Sequence, residues 1–143
     1  MKVSTKGRYG LRIMLDIAQN SGHGPVAIKE IAARQEISVK YTEQIMVYLV
    51  KAGMLRSVRG AQGGYELVRR PDQYTVAEIL RCIEGDWAPV QCVLDASYCA
   101  RREGCPTASL WSGLYDTINK YLEGVTLQSL MDEAESSGDF YSI

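Results

Sequence analysis

The sequence predicts a mainly α-helical fold that carries one small β-hairpin. Apolar residues recur at helical spacing over most of the chain, which is typical of amphipathic helices. Residues 28–65 hold two such patterns separated by a tight break, and a Gly-rich turn flanked by arginines follows them. Helix, turn, helix and basic hairpin form the layout of a winged helix-turn-helix. A long helical pattern near the C-terminus is expected to form a dimer.

The N-terminal helix is expected to begin after Ser4, whose hydroxyl can cap free amides, and to run to about Asn20. A loop at 22–25 follows it. The first helix of the helix-turn-helix then keeps three apolar residues on one face, namely Ile28, Ile31 and Ala32.

The second helix of this unit is expected to begin after Ser38 and to end near Gly53. Ile45, Met46, Leu49 and Val50 form its apolar face. Its polar residues are expected to face away from the core near the N-terminal end, where a recognition helix enters the major groove. They are Lys40, Tyr41, Glu43 and Gln44.

These polar residues, together with Ser38, are candidate DNA contacts. Lys40 suits a phosphate or a guanine edge, and Gln44 can pair with adenine through two hydrogen bonds. Glu43 can accept from a cytosine amino group but repels phosphate, so it is interpreted as a specificity filter. The alternative for each residue alone is an ordinary solvated helix face.

The hairpin is expected to run from a strand at 54–59, through a turn at 60–64, to a strand at 65–68. Arg56 and Arg59 suit a narrow minor groove, and Gly60 lets the backbone approach phosphates closely. The alternative is a plain hairpin turn. A nucleotide-binding loop is disfavoured because no lysine followed by serine or threonine completes it.

Charge is distributed unevenly along the chain. Residues 1–70 hold 12 Lys/Arg and 5 Asp/Glu, whereas residues 71–143 hold 4 and 12. The basic half favours a polyanionic partner such as DNA. No apolar run reaches the roughly 18 residues of a membrane span, and the N-terminus lacks the apolar core of a signal peptide. A cytoplasmic protein is therefore expected.

The rest of the chain is expected to control the DNA-binding unit. Thr75 and Glu78 form a capping box that starts a helix, and Gly85 ends it. An irregular loop at 86–106 follows, and then a helix from about Thr107 to Leu122 whose broad apolar stripe suits a dimer seam. Packing within one subunit is the alternative for that stripe.

A last helix after Thr126 and a loosely held tail from Ser136 complete the chain. The expected division is a DNA-binding domain at 1–85, a cysteine-bearing loop at 86–106, and a dimerisation helix and tail at 107–143.

The four cysteines are Cys82, Cys92, Cys99 and Cys105. In a cytosolic chain, three cysteines so close together favour a metal or redox site over disulfides. Cys82 lies within a helical pattern and is interpreted as a buried small residue.

The segments STKGRYGLR, ISVKYTEQI, SVRGAQGGYEL and TVAEILRCIEG resemble the Rrf2-type winged-helix regulators of bacteria. The resemblance extends over nearly the whole chain, through residues 110–111 and 125–130. It implies a transcription regulator, commonly a repressor, that binds palindromic promoter DNA as a homodimer crossed by a long helix. In the iron–sulfur member of that family, the positions matching Ser38, Tyr41 and Glu43 contact DNA, and Arg59 matches a minor-groove arginine.

The spacing Cys92-x6-Cys99-x5-Cys105 resembles the three-cysteine site of the same iron–sulfur regulator and implies a 2Fe-2S cluster. Thiolates are the usual ligands of such clusters. The fourth ligand is unassigned, because Ala108 stands where that regulator has histidine. Asp95, Glu103, solvent or a small thiol are the candidates, and Arg101 and Arg102 are expected to favour the thiolate forms.

Other interpretations of the three cysteines stay open. They could form a thiol sensor or a zinc site. They could also be unused, in a cluster-free repressor controlled by a partner enzyme of sulfur metabolism, because the wing and the FYSI tail also resemble the cysteine-metabolism repressor of the family. An enzyme is disfavoured, since the chain has one histidine and no acid–base pair at a telling spacing.

Overall fold

The computed structural model describes residues 2–141. Within that part of the chain, it confirms the mainly α-helical winged helix-turn-helix. In chain order the elements are α1 (Thr5–Gln19), α2 (Ile28–Gln35), α3 (Val39–Lys51), β1 (Leu55–Val58), β2 (Gly64–Leu67), α4 (Val76–Glu84), α5 (Gln91–Leu94), α6 (Ala108–Glu123) and α7 (Leu127–Tyr141). Short 3-10 turns lie at Ser21–His23 and Pro71–Gln73.

The helix starts follow local capping. The Ser4 hydroxyl accepts a hydrogen bond of 3.0 Å from the amide of Gly7. At α4, the amide of Glu78 donates to the Thr75 hydroxyl, and the amide of Thr75 donates to the Glu78 carboxylate, both at 3.1 Å. Both helices therefore begin where the sequence predicts, because the capping partners lie only three residues apart.

One apolar core unites α1, α3, α4 and the base of the hairpin. Its fully buried side chains include Ile13, Ile17, Ile45, Leu49 and Ile79. Burial of this set supplies the main driving force that holds the recognition helix against the rest of the domain.

Tyr74 fixes the base of the hairpin from inside the core. Its buried hydroxyl donates to the Met54 carbonyl at 2.7 Å and accepts from the amides of Val68 and Arg69 at 2.9 and 3.0 Å. The hydroxyl thus bonds to the chain just before β1 and just after β2. The hairpin therefore has a defined orientation relative to α3.

The hairpin is also paired with the chain that precedes α2. Val26 and Tyr65 exchange two backbone hydrogen bonds of 2.8 and 2.9 Å. A Cβ atom on Gly64 would collide with the Val26 carbonyl, and one on Gly63 would collide with the Val58 carbonyl. These two glycines are therefore required by close backbone packing rather than by the turn alone.

The C-terminal helix returns to the first core. Leu127 is fully buried, and its amide donates to the Tyr74 carbonyl at 3.1 Å. The segment from Ser136, expected to be a loosely held tail, continues α7 as far as Tyr141. The last two residues of the expected tail lie outside the described part of the chain.

The loop at 86–106 contains one turn of helix, α5, where only irregular structure was expected. Among the described helices, none is long and apolar enough to cross a lipid bilayer.

Candidate nucleic-acid interface and cysteine loop

The recognition helix α3 begins with a satisfied cap. The Ser38 hydroxyl accepts from the amide of Tyr41 at 3.0 Å, and the hydroxyl of Thr42 donates to the Ser38 carbonyl at 2.9 Å. Ser38 nevertheless remains exposed, together with Lys40, Glu43 and Gln44. Four of the five predicted contacts on this helix therefore lie on its open surface.

Tyr41 lies differently from the prediction, which had it facing away from the core. Its ring is half-buried and packs edge-on against Tyr9, with ring centroids 6.0 Å apart and an interplanar angle of 86°. The apolar body of the tyrosine gains from this contact, because aromatic pairs favour edge-to-face geometry. Tyr41 therefore joins α1 to the start of the recognition helix.

The two wing arginines differ. Arg56 on β1 stands directly across from Glu66 on β2, and its Nε donates to the Glu66 carboxylate at 2.6 Å. Arg59 and Gly60 lie exposed at the turn, where Gly60 has φ of 116°. Within residues 2–141, neither Arg59 nor Lys40 forms an ion pair. Arg59 is therefore the better placed of the two to meet a phosphate or a minor groove.

Cations on α1 are oriented beside the recognition helix. The Lys6 ammonium lies 4.8 Å from the centre of the Tyr48 ring. Arg12 lies over the Tyr9 ring at 5.1 Å, and its Nε donates to Gln35 at 2.8 Å. These contacts hold positive charge on the same domain as the exposed residues of α3.

A buried carboxylate, which the sequence did not reveal, joins α1 to α2. Asp16 is only 3% exposed, and Arg34 donates to its two oxygens at 2.9 and 2.7 Å. Gln35 donates to the same carboxylate at 2.9 Å. The hydrogen bond to Asp16 raises the pKa of Arg34. The signal in the sequence was an acid on the inner face of a basic helix, between Ile13 and Ile17.

The three predicted ligand cysteines lie at separate points of the loop. Cys92 lies in α5, Cys99 opens a series of tight turns, and Cys105 ends that series just before α6. All three thiols are free and half-buried. Among the described residues, no three His, Cys, Asp or Glu side chains are grouped so that they could hold a metal ion. The donor chemistry suits an iron–sulfur cluster, but these side chains are not brought together.

Local hydrogen bonds change the acidity of two groups in the loop. The pKa of Cys105 is lowered by its hydrogen bond with the Thr107 hydroxyl, and the amides of Thr107 and Ala108 add to this effect. Arg101 and Arg102, expected to favour thiolates, have no part in that shift. The Asp95 pKa is lowered by hydrogen bonds from the hydroxyl and amide of Ser97, at 2.6 and 2.9 Å.

A polar cluster joins the start of the loop to α4 and α6. The Trp87 indole and the Arg81 guanidinium both donate to the Asn119 side-chain oxygen, at 2.9 and 3.0 Å. Arg81 also lies over the Trp87 ring at 5.0 Å, and the Tyr115 hydroxyl donates to Asp86 at 2.7 Å. The bond to Asp86 raises the pKa of Tyr115. We call these five residues the latch.

Cys82 connects α4 to the recognition helix. Its thiol lies 3.2 Å from the Tyr48 carbonyl, and burial raises its pKa. Cys82 was expected to be buried; it is partly buried and packs against the core. Arg81 of the latch and Cys82 are therefore neighbours on one helix, α4, which contacts both the loop region and α3.

Known proteins show the same architecture. Residues 3–133 match the Rrf2 family, described as "Iron-dependent Transcriptional regulator". The HTH-type transcriptional regulator CymR of Bacillus subtilis is 40% identical over 141 residues, which cover 99% of this chain and 97% of CymR.

Two solved structures are also similar. The structure of B. subtilis CymR, called the global cysteine regulator, has a TM-score of 0.77 and 41% identity and covers 93% of this chain and 98% of its own. T. potens IscR has a TM-score of 0.78 and 40% identity, over 96% of this chain and 90% of its own. These relatives are named regulators rather than enzymes. The chain belongs to the Rrf2 family of transcriptional regulators.

Proposed function

We propose that the protein represses transcription as a homodimer bound to palindromic promoter DNA in the cytoplasm. The observation that carries this proposal is the open face of α3, with Lys40 and Gln44 exposed beside a wing that presents Arg59. A polar helix face and an adjacent basic turn supply contacts for a major groove and for the flanking phosphates or minor groove.

The proposed roles differ from residue to residue. Lys40 and Gln44 contact base edges or phosphate, and Glu43 penalises sites that offer it no donor. Arg59 enters the minor groove, and Gly60 brings the backbone close to phosphate. The remaining contacts are secondary: Ser38, which is exposed, Tyr41, which is half-buried, and Arg56 only in part, because Glu66 shares its charge.

The long helix α6 supports a dimer. None of its 16 residues is buried within the chain. Leu110, Leu114 and Tyr121 lie along one side and are 60, 37 and 71% exposed. An apolar stripe of this kind gains by packing against a second copy. Two-fold symmetry would then present two recognition helices to two half-sites.

Control is proposed to act through the cysteine loop. Cys92, Cys99 and Cys105 would provide three thiolate ligands for a 2Fe-2S cluster, with the fourth ligand from Asp95, Glu103, solvent or a small thiol. When bound, such a cluster supplies redox chemistry and holds distant points of the loop together. Ordering of the loop would favour one conformation of the latch and one position of α4. Because α4 contacts α3, the position of the recognition helix would change with it.

A protein partner from sulfur metabolism, with no cluster, is the second candidate for control. The observation that favours it is 40% identity to CymR of B. subtilis over 99% of this chain. A variant with Cys92, Cys99 and Cys105 all replaced by serine separates the two. Loss of regulated DNA binding supports the cluster, whereas unchanged regulation supports the partner.

DNA binding itself is tested by selecting duplexes from a random pool with anaerobically purified protein. The expected result is a two-fold symmetric site. The double variant Lys40→Ala/Arg59→Ala should lose at least about 30-fold in affinity, because it removes two DNA contacts per subunit. Lys120→Ala, which removes a positive charge from α6, is the matched control. A pool that yields no enriched sequence would contradict the proposal.

A further inference from the structure

The polar stripe along the exposed face of the recognition helix contains one apolar residue, Val47. Lys40, Glu43, Gln44, Val47 and Lys51 are spaced so that they fall within an arc of roughly 100° on α3. All five side chains are exposed. Val47 lies at the centre of this stripe and is 62% exposed, whereas its four companions are charged or polar.

Val47 also lines the groove between the recognition helix and the wing. This groove has a volume of about 450 Å³, and Glu43 and Lys51 line it together with Ser57 and Tyr65 of the hairpin. An apolar side chain at this point stands between the two elements that are proposed to grip DNA. It is therefore positioned to meet the duplex rather than the interior of its own domain.

The chemistry of the major groove restricts what an exposed valine can recognise there. Among the four bases, only thymine presents an apolar group to that groove, its C5-methyl. Lys40 and Lys51, toward the two ends of the stripe, are complementary to the phosphates on either side. Gln44, one turn before Val47, suits an adenine edge, whose paired base is a thymine.

We propose that Val47 is a specificity-determining residue that reads a thymine methyl group in each half-site. This inference rests on the proposed DNA-binding function and adds to it a base preference and a residue. The contact is apolar, so its contribution carries no dependence on salt beyond that of the flanking lysines.

The experiment pairs a change in the protein with a change in the DNA. In one half-site of the selected duplex, each thymine is replaced singly by uracil, which removes only the methyl group. With the wild-type protein, one uracil position should weaken binding about four-fold, the effect expected for one buried methyl. Val47→Ala should weaken binding to the thymine duplex and should no longer distinguish thymine from uracil at that position.

A matched control is Val68→Ala. Val68 is a valine that is 46% exposed and lies beyond β2, outside the stripe. The Val68→Ala variant should lose affinity at the same uracil position, and by the same factor, as the wild type. Val47→Thr provides a second test because it keeps the shape of the side chain and exchanges one methyl for a hydroxyl, so about half of the discrimination should remain. Thermal melts should confirm that each variant is folded.

The outcomes are distinct. If no uracil position weakens binding of the wild type, the thymine contact is overturned while DNA binding stands. The same conclusion follows if Val47→Ala loses affinity at the same uracil position as the wild type. A Val47→Ala variant that changes the mass of the oligomer and not the uracil profile assigns Val47 to a protein interface and overturns the inference. A wild-type protein that selects no duplex overturns the proposed function itself.

Discussion

Helices α3 and α6 both carry an apolar stripe along one side, but the chain covers only one of them. In α3 the stripe packs into the core, where Ile45 and Leu49 are fully buried. In α6 no residue is buried, and Leu110 and Leu114 stand open. Apart from Val50, which is 36% exposed, the stripe of α3 is covered within one chain, whereas that of α6 is left open. The DNA-reading unit thus covers its own apolar surface, and we propose that the control region is completed by a second copy and a bound group.

The largest expected effect is on self-association through the exposed apolar stripe of α6. Leu114→Glu should weaken self-association by at least about 100-fold, because it puts a carboxylate into an apolar seam on both subunits. Sedimentation equilibrium measures the mass. Ser109→Glu adds the same charge on another face of α6 and should leave the mass unchanged. If the Leu114→Glu protein keeps the wild-type mass, α6 is not the seam.

The next effect is on the stability of the DNA-reading unit. Asp16→Asn should lower the free energy of unfolding by about 2 kcal/mol, roughly 30-fold in the folded population, because Arg34 loses a buried charged partner. Glu66→Gln, which weakens the exposed pair with Arg56, should cost under about 1 kcal/mol. Denaturant titration measures both. Equal losses of unfolding free energy in the two variants would mean that the buried pair of Asp16 and Arg34 stabilises the fold no more than the exposed pair of Arg56 and Glu66.

A smaller effect distinguishes the two wing arginines. Arg59→Ala should weaken binding to the selected duplex about 10-fold and lower the salt slope by about one, since it removes an unpaired cation at the turn. Arg56→Ala should weaken it less, because Glu66 already shares the Arg56 charge. Titrations at several salt concentrations provide the comparison. The reverse order would show that the ion pair opens on DNA.

The smallest expected effect concerns the latch between the two regions. Asn119→Ala removes the shared acceptor of Trp87 and Arg81 and should change operator affinity by no more than about three-fold. Amide exchange at residues 86–90 should nevertheless become faster, because the start of the loop loses its attachment to α6. Asn119→Asp keeps an acceptor and should preserve the slow exchange. Unchanged exchange in Asn119→Ala would remove the latch from the proposed route of control.

The features that the sequence predicted correctly are local ones. Ser4, Ser38 and the Thr75–Glu78 pair cap their helices through bonds that span three residues, so a short window of sequence contains both partners. The exposed face of α3 followed from periodicity in the same way.

The features that were missed depend on long-range contacts. Asp16 meets Arg34 eighteen residues away, and Trp87 meets Asn119 thirty-two residues away. Helical periodicity placed Tyr41 on the outer face, but the Tyr9 ring on α1 draws its body inward. The sequence could not decide whether the three cysteines converge, because a loop without regular structure has no period that fixes where its side chains point.

In the proposed control, a group bound at the cysteine loop sets the DNA affinity of the DNA-reading unit. The most direct test measures iron content, visible absorbance and affinity for the selected duplex on the same anaerobic sample, before and after iron is removed. We expect a coloured protein with about two irons per subunit and a DNA affinity that changes at least about five-fold when iron is removed. A colourless protein after reconstitution, with the same affinity in both states, would rule out control by a cluster.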